Sequence, residues 1–511
     1  MTKRLSELLG GVSVREHRGP EDASVQGLAY DSRAVQAGDL FACLPGTRRD
    51  GHEFAADAIS RGAAAILAEA RGLEVARQGH NPDSALLLPS PAVPVVVVER
   101  SRPALARMAS NFFDRPSRSL WLAGVTGTNG KTTTGQLLDR ILRRTGRRTG
   151  VIGTIAHRLG DQVIPAAHTT PEAPDLQALL YDMREQQITH VSMEVSSHAL
   201  AQHRADDCEF SVAIFTNLTR DHLDYHASLE DYFAAKARLF EEAAFMPAGR
   251  PRTNVINTDD ESGRRLAERA KGKVITYGLR GQPDLRGQDL RLTARGSHFV
   301  VDTAQGRQAV DFGLIGQFNV YNALAAVGAA RAGGISLEEA ARALEGAEPI
   351  TGRFQRVGGP GVAVVVDYAH TPDGLEKALQ TAREVTSGRV HVVFGCGGDR
   401  DRGKRPQMGD IATRLADRCY VTSDNPRSEN PDAIIGEILT GVPPERRERC
   451  VVEPDRATAI SRAIAEAAED DVVLIAGKGH ETCQIFADRT IHFSDQEVAE
   501  KSLAGRSGPS N

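Results

Sequence analysis

Residues 120–134, LWLAGVTGTNGKTTT, decide how the rest of the chain is read. An apolar run of Leu120, Trp121, Leu122 and Ala123 stops at Gly124. Gly127 and Gly130 then frame a short loop, and Lys131, Thr132 and Thr133 open a helix whose apolar positions include Leu137, Leu138, Ile141 and Leu142. The order predicts strand, glycine loop, helix. Backbone N–H groups at such a helix start point outward with the positive end of the dipole, so Gly127, Thr128, Asn129, Gly130, Lys131, Thr132 and Thr133 form a cradle for phosphate oxygens. Lys131 adds charge, and Thr132 offers a hydroxyl to Mg²⁺. A nucleoside triphosphate site is the expectation. The stricter phosphate-loop pattern asks for glycine at position 125, where this chain has Val125.

Composition narrows what surrounds that loop. A chain of 511 residues is too long for one core, and ordinary domain sizes predict roughly three domains. Lys and Arg number 62 against 67 Asp and Glu, a balance that points away from nucleic acid and anionic membranes and toward small-molecule substrates. The cysteines (Cys43, Cys208, Cys396, Cys419, Cys450, Cys483) show neither CxxC pairs nor zinc spacing, as expected of reduced thiols in a cytosol. The start, MTKRLSELLGG, lacks the apolar stretch of a signal peptide, and runs such as Val95 to Val98 are only strand-length. A cytoplasmic protein without membrane insertion is expected.

Outward from the loop, three α/β units are predicted: 1–117, a small N-terminal domain; 118–353, a central parallel-sheet ATPase domain of phosphate-loop type; and 354–511, a Rossmann-like doubly wound domain. In the first, residues 25–30 read as one strand, with polar loops after it. In the second, three apolar runs end in polar residues: at Val125, at Glu194 through His198, and at Thr216 through His222. In a parallel sheet, chemistry gathers outside the carboxyl ends of the strands, so these tails are expected on one edge. Lys236 stands in an apolar, alanine-rich helix, an odd place for a surface lysine. Asn319 and Asn322 sit one turn apart on another helix. The third unit repeats the pattern, with apolar runs ending in Asp367 through Pro372, Gly395 through Asp401, Asp424 through Arg427 and Gly477 through Glu481. The run from Arg353 to Gly361, with Gly358, Gly359, Pro360 and Gly361, has the composition of a hinge, and residues 505–511 read as a disordered tail.

In order along the chain, Gly127-Thr128-Asn129-Gly130-Lys131-Thr132, Glu194-Val195-Ser196-Ser197-His198, the segment from Asn217 to His226, Asp367 through Pro372, Asp424 through Arg427 and Gly477 through Glu481 together resemble the motifs of the Mur ligases. The resemblance accounts for Val125, since the phosphate loop of that family looks like GTNGKT without the earlier glycine. It implies an ATP-dependent amide ligase that adds meso-2,6-diaminopimelate to UDP-N-acetylmuramoyl-L-alanyl-D-glutamate through an acyl phosphate, in peptidoglycan precursor synthesis. ATP is then the co-substrate, Mg²⁺ the cofactor and a monomer the expected state.

Site roles carry over where residues match. Tyr30, Ser32, Thr47, Arg48 and Arg49 are assigned toward the uridine nucleotide, and Thr169, Thr170, Ser196, Gln202 and Arg204 toward its sugar and peptide. His168 stands where the family commonly shows Asn. Lys131, Glu194, His222 and Lys236 are the catalytic group: Thr132 and Glu194 for one Mg²⁺, and Glu194, His222 and Lys236 for a second. A protonated lysine cannot ligate a metal, so the resemblance implies that Lys236 is carbamylated. Asn319 and Asn322 are assigned to the adenine, Asp367 to the ribose and Arg353 to the phosphates. For the amino acid, guanidinium groups match carboxylates with paired hydrogen bonds, which suits Arg400 and Arg427; Asp424 and Glu481 suit ammonium groups, and Asn425, Pro426 and Gly477 complete the pocket. Arg427 disfavours lysine, which has no distal carboxylate to pair with it. A lysine-adding or folate-polyglutamate ligase and a phosphate-loop switch or transport ATPase are the rival readings.

Overall fold

The computed structural model describes residues 1–46, 49–72, 92–223, 225–249, 251–358 and 361–506. Thr47, Arg48, Asp224, Gly359, Pro360 and the last five positions of the predicted tail lie outside them. Three main sheets fall in succession along the chain.

The first has five strands in the order Val14–Arg18, Val95–Val98, Ala65–Glu69, Asp39–Ala42, Gly27–Ala29, parallel except for the first. Val95 to Val98 are all buried, as a central strand covered on both faces must be. Helix Ser101–Phe112 packs Leu105, Met108 and Phe112 onto one face. Residues 25–30 are not one strand. Ser24–Val25 pairs with Lys3–Arg4, and only Gly27–Ala29 joins the sheet, because the chain changes partner at Gln26.

The second sheet has eleven strands, and Trp121–Thr126 lies inside it between His190–Glu194 and Val212–Phe215, all parallel. Val125 pairs with both Glu194 and Ile214, and Thr126 with Phe215, so the three polar tails leave the sheet side by side, as expected. Helices Lys131–Arg144 and Gln317–Ala332 cover one face, and Ala173–Glu185 and Leu229–Glu241 the other. The helix Gln317–Ala332 is alanine-rich because it is wedged between sheet and neighbouring helix, where larger side chains do not fit. Alternating residues in 285–312 form three antiparallel strands at the far edge.

The third sheet runs Gln355–Val357, Ala363–Asp367, Val472–Ala476, Val390–Phe394, Arg418–Val421, Cys450–Val452, parallel apart from the first strand. Helices Pro372–Glu384, Lys404–Leu415 and Pro431–Leu439 pack on one face, Arg456–Glu466 and Asp495–Arg506 on the other, as a doubly wound unit requires. Two expectations shift. Gln355–Val357 already belongs to this sheet, so the glycine-rich run after it joins two of its strands, and the connection between sheets falls earlier, at 345–354. Gly505 and Arg506 close the last helix rather than opening a tail. All six cysteines are free, and among the described residues no helix is long and apolar enough to cross a membrane.

Candidate active site

The phosphate loop has the geometry that its glycines predict. Gly127 (φ 150°) and Gly130 (φ 86°) hold backbone angles that other residues avoid. A side chain at Gly127 would lie 1.9 Å from Thr216 Oγ1, and one at Gly130 2.3 Å from Asn322 Oδ1. The loop is braced from the neighbouring strand end: Asn129 N–H donates to Asn217 Oδ1 (3.0 Å), and Thr216 Oγ1 donates to Asn129 O (2.6 Å). Lys131 Nζ donates to the carbonyls of Gly127 and Thr128, both at 2.9 Å, and burial lowers its pKa against the pull of Glu194 and Asp221.

Glu194 is buried at the end of its strand. It accepts from Thr132 Oγ1 (3.0 Å), Thr154 N (2.9 Å) and Thr154 Oγ1 (3.0 Å), and among the described residues no basic side chain pairs with it. A buried carboxylate without a cation is costly, and the oxygen donors around it suit a hard divalent ion, so Thr132 and Glu194 fit Mg²⁺. Among the described residues no three His, Cys, Asp or Glu side chains converge into a ready metal cage. A metal here would depend on oxygens brought by substrate and water, which is how Mg²⁺ is commonly held.

Lys236 is 1% exposed on helix Leu229–Glu241. Its amine donates to Gly127 O (2.9 Å) and lies 4.4 Å from the centre of the Tyr232 ring. Burial drives its pKa well below the ordinary lysine value, and the Lys131 charge adds to the shift, with Asp221 opposing. His222, at φ 54°, faces the same tyrosine with ring centres 5.9 Å apart, and it also meets His198 at 4.8 Å. Lys131 and Lys236 therefore converge on Gly127 O, Thr132 meets Glu194, and His222 borders Lys236 across Tyr232.

The third domain closes over this floor. Asp373, in the first turn of helix Pro372–Glu384, accepts from Asn129 Nδ2 (3.0 Å) and Thr219 Oγ1 (2.8 Å). Arg353 Nη2 donates to Thr132 Oγ1 (3.4 Å), its guanidinium stacks over Tyr368, and its buried Nε has no hydrogen-bond partner among the described residues. Asp367 accepts from the N–H groups of Phe354 (2.7 Å) and Ala369 (2.9 Å), and burial raises its pKa, opposed by Arg353. Asn322 Nδ2 donates to Asn319 Oδ1 (3.1 Å), and Thr134 Oγ1 donates to Asn322 Oδ1 (3.3 Å), placing this pair behind the loop.

At the ends of the third sheet, Asp424, Asn425 and Glu481 gather around Lys478. Asn425 Nδ2 donates to Glu481 Oε2 at 2.8 Å. Arg427, at φ 51°, donates from Nη1 to Gly398 O (2.8 Å). Gly397 lacks the Cβ that would stand 2.9 Å from Arg427 Nη1 and 3.8 Å from Arg400 Cγ, so it leaves room for the side chains of both. Pro426 is buried and Arg400 exposed; Gly477 turns at φ 119°.

Toward the first sheet, Glu172 pairs with Arg204 and Arg102, both at 3.0 Å, and Arg204 Nη2 donates to Gln202 Oε1 (2.6 Å). Thr170 Oγ1 donates to Glu194 O (2.9 Å) and accepts from Ser196 N, while Thr169 and Thr154 share a hydroxyl contact (3.0 Å). Tyr30 OH donates to Asp175 Oδ2 at 2.5 Å, bridging two domains. Ser32 is buried in a turn capped by Asp31, Arg49 pairs with Glu53 (2.8 Å), and His168 is exposed. Sequence reasoning missed Thr154, Glu172, Asp373 and Lys478. Only Lys478 carried a signal, as the one cation inside a loop already singled out.

A parallel sheet whose central strand runs through a glycine loop into a helix, with a lysine and a hydroxyl–carboxylate pair at the loop, defines a phosphate-loop nucleotide-binding protein. Family models match along the chain: the Mur ligase family catalytic domain at 24–113, the Mur ligase middle domain at 125–330 and the Mur ligase glutamate ligase domain at 352–479. The chain belongs to the Mur ligase family. It is similar to the UDP-N-acetylmuramoyl-L-alanyl-D-glutamate--2,6-diaminopimelate ligases of Geobacillus kaustophilus (46% identical, covering 96% of each chain) and Gloeobacter violaceus (48%, covering 98% of each). A solved structure of a ligase of the same name shares 32% identity and a TM-score of 0.69, covering 99% of both chains.

Proposed function

We propose that the chain is the ATP-dependent ligase that joins meso-2,6-diaminopimelate to UDP-N-acetylmuramoyl-L-alanyl-D-glutamate, an amide-forming step of peptidoglycan precursor synthesis. The likeness over the full length to relatives bearing that name supports it. What supports the amino-acid choice is that the third sheet's strand ends carry Arg400 and Arg427, both near Gly397, and Asp424 and Glu481, both against Lys478. The two guanidiniums suit the two carboxylates of diaminopimelate, and Asp424 with Glu481 suits an ammonium group.

The chemistry follows from the layout. A carboxylate resists an amine until its oxygen accepts the γ-phosphoryl group of ATP, with ADP leaving. The amine then attacks the acyl carbon, the C–O bond to phosphate breaks, and the nitrogen sheds a proton. Lys131 and Arg353 offset charge at the phosphates, with the unpartnered Nε of Arg353 free to reach them. Mg²⁺ held by Thr132 and Glu194 neutralises phosphate charge when bound. Lys236 is suited to carbamylation, because a buried amine pushed toward its neutral form is the form that adds CO₂. Once carbamylated, Lys236 would offer oxygens that, with Glu194 and His222, could hold a second metal. Asn319, Asn322 and Asp367 serve the nucleoside, while Tyr30, Ser32, Arg49, Thr169, Thr170, Ser196, Gln202 and Arg204 serve the UDP-linked acceptor; the same role is proposed for Thr47, Arg48 and His168. Asp373 bridging to Asn129 and Thr219 shuts water away from the acyl phosphate. The enzyme works as a cytoplasmic monomer in building the cell wall, and so in cell shape and division.

Phosphate release measured with ATP, Mg²⁺ and the UDP-linked muramoyl dipeptide tests the reading. Release is expected to depend on diaminopimelate and to yield the tripeptide. Equal turnover with lysine overturns the amino-acid assignment, and release that ignores any amine overturns the ligase reading.

A further inference from the structure

Lys478 has no part in the chemistry described so far, yet it stands directly behind the wall of the proposed amino-acid pocket. Strand Val472–Ala476 ends there, and Gly477 turns the chain at φ 119°. The Lys478 ammonium donates to Asn425 Oδ1 (3.0 Å) and Glu481 Oε2 (3.2 Å) and lies 3.5 Å from Asp424 Oδ1. An ammonium has three donors, and here each faces an acceptor. Asn425 is fixed in turn by Ile485 N–H (3.0 Å) and by its own bond to Glu481, while Gln484 Nε2 donates to Asp424 O (2.7 Å).

The exposures show a layered arrangement. The Lys478 side chain is 0% exposed, whereas Asp424 is 10% and Glu481 31% exposed. The cation lies behind, and the two carboxylates face the opening. A second buried cation backs the same wall: Arg456 pairs with Asp495 at 2.7 Å, both 0% exposed, and donates to Ala476 O at 3.0 Å. Arg456 is held by Asp495 and adds its charge to the field at Asp424 and Glu481, but among the described residues Lys478 is the cation in direct contact with both carboxylates.

We infer that Lys478 is a positioning residue for amine recognition: its buried ammonium sets the spacing of Asp424 and Glu481 and supplies the counter-charge that lets both face one substrate ammonium. Two carboxylates aimed at the same small volume repel each other, and without a cation behind them they splay apart or take up a proton. A substrate ammonium then meets one acceptor rather than two. Lys478 does not compete for that place, because its own stem is sealed inside the wall. The inference rests on the proposed reading that Asp424 and Glu481 bind the substrate amine.

The test is steady-state kinetics of Lys478→Met, with ATP, the UDP-linked dipeptide and diaminopimelate varied in turn, alongside Glu481→Gln and the double variant. The KM for diaminopimelate is expected to rise about 30-fold with the KM for ATP within about 2-fold, as for loss of one partner of a buried charge pair. The double variant is expected to be no worse than Glu481→Gln alone by more than about 3-fold, since both changes remove one unit. Additive losses, an unchanged KM for diaminopimelate, or equal rises in all three KM values overturn the inference. Thermal melting reports folding. Should Lys478→Met fail to fold, Lys478→Gln keeps an amide donor for Asn425 and removes only the charge, and the same readings apply. If the unaltered protein shows no amine-dependent phosphate release, the ligase reading fails instead, and the two failures are distinct.

Discussion

Two buried lysines, Lys236 beneath the phosphate loop and Lys478 beneath the amino-acid pocket, hold the same side chain in opposite company. Lys236, 1% exposed, meets one carbonyl and a tyrosine face, with the charge of Lys131 close by. Lys478, 0% exposed, meets two carboxylates and an amide oxygen. Burial alone penalises both charges, and the partners decide the outcome. Around Lys236 the amine is pushed toward its neutral, reactive form. Around Lys478 two carboxylates and an amide oxygen accept its three N–H groups. On the proposed reading, the first lysine serves chemistry and the second serves shape.

The largest expected effect breaks the comparison at Lys236. Lys236→Ala should lower turnover by about 10³-fold, the scale of losing a group that organises transition-state charge, and short carboxylates such as acetate should restore part of it. Phosphate release with and without acetate measures this, and calorimetry checks that ATP still binds. Absent rescue with ATP binding intact counts against the carbamate.

A smaller effect belongs to the pocket. Arg427→Ala should raise the KM for diaminopimelate by about 100-fold, the cost of a lost charge-assisted pair, with the KM for ATP nearly unchanged. Initial-rate measurements with each substrate varied separate the two.

The smallest effect sharpens the contrast through stability. Replacing a buried amine that lacks a carboxylate partner with an apolar side chain of like shape removes a penalty, so Lys236→Met, compared with the uncarbamylated protein, should stabilise the fold by about 1–3 kcal/mol, whereas Lys478→Met should destabilise it by leaving two carboxylates uncompensated. The sign of the pH dependence follows. Because the folded pKa of Lys236 lies below its ordinary 10.5, the unfolded chain binds the proton first as pH falls. Stability from this group therefore declines as pH drops below 10.5 and levels off below the folded value. Melting curves of the Lys236→Met variant at pH 10 and pH 8, about the range of interest, should lack that share of the decline. Shifts of the same sign in both Met variants sink the comparison.

The three strand ends of the middle sheet were legible because buried parallel strands read as unbroken apolar runs, and such runs stop where the chain reaches the polar edge. The phosphate loop was legible because Gly127 and Gly130 tolerate angles and close approaches that other residues do not. The glycine-rich end of the expected hinge run does not separate two sheets: glycine and proline mark any reversal of direction, and the strand before them, Gln355–Val357, pairs with the strand after them, Ala363–Asp367. Asp373, Thr154 and Glu172 left no trace, since each acts on a partner across a fold boundary or a long loop.

The linear order of residues by itself determined the α/β class, the loop that cradles phosphate, the edge where chemistry gathers and the family, because these depend on local backbone demands and on periodicity. Only the folded molecule decided which charges stand together. Lys478 meets Asp424 across 54 positions, Asn129 meets Asp373 across 244, and Lys236 meets Gly127 across 109. Electrostatic energy depends on distance and burial in space, and neither is written in sequence separation.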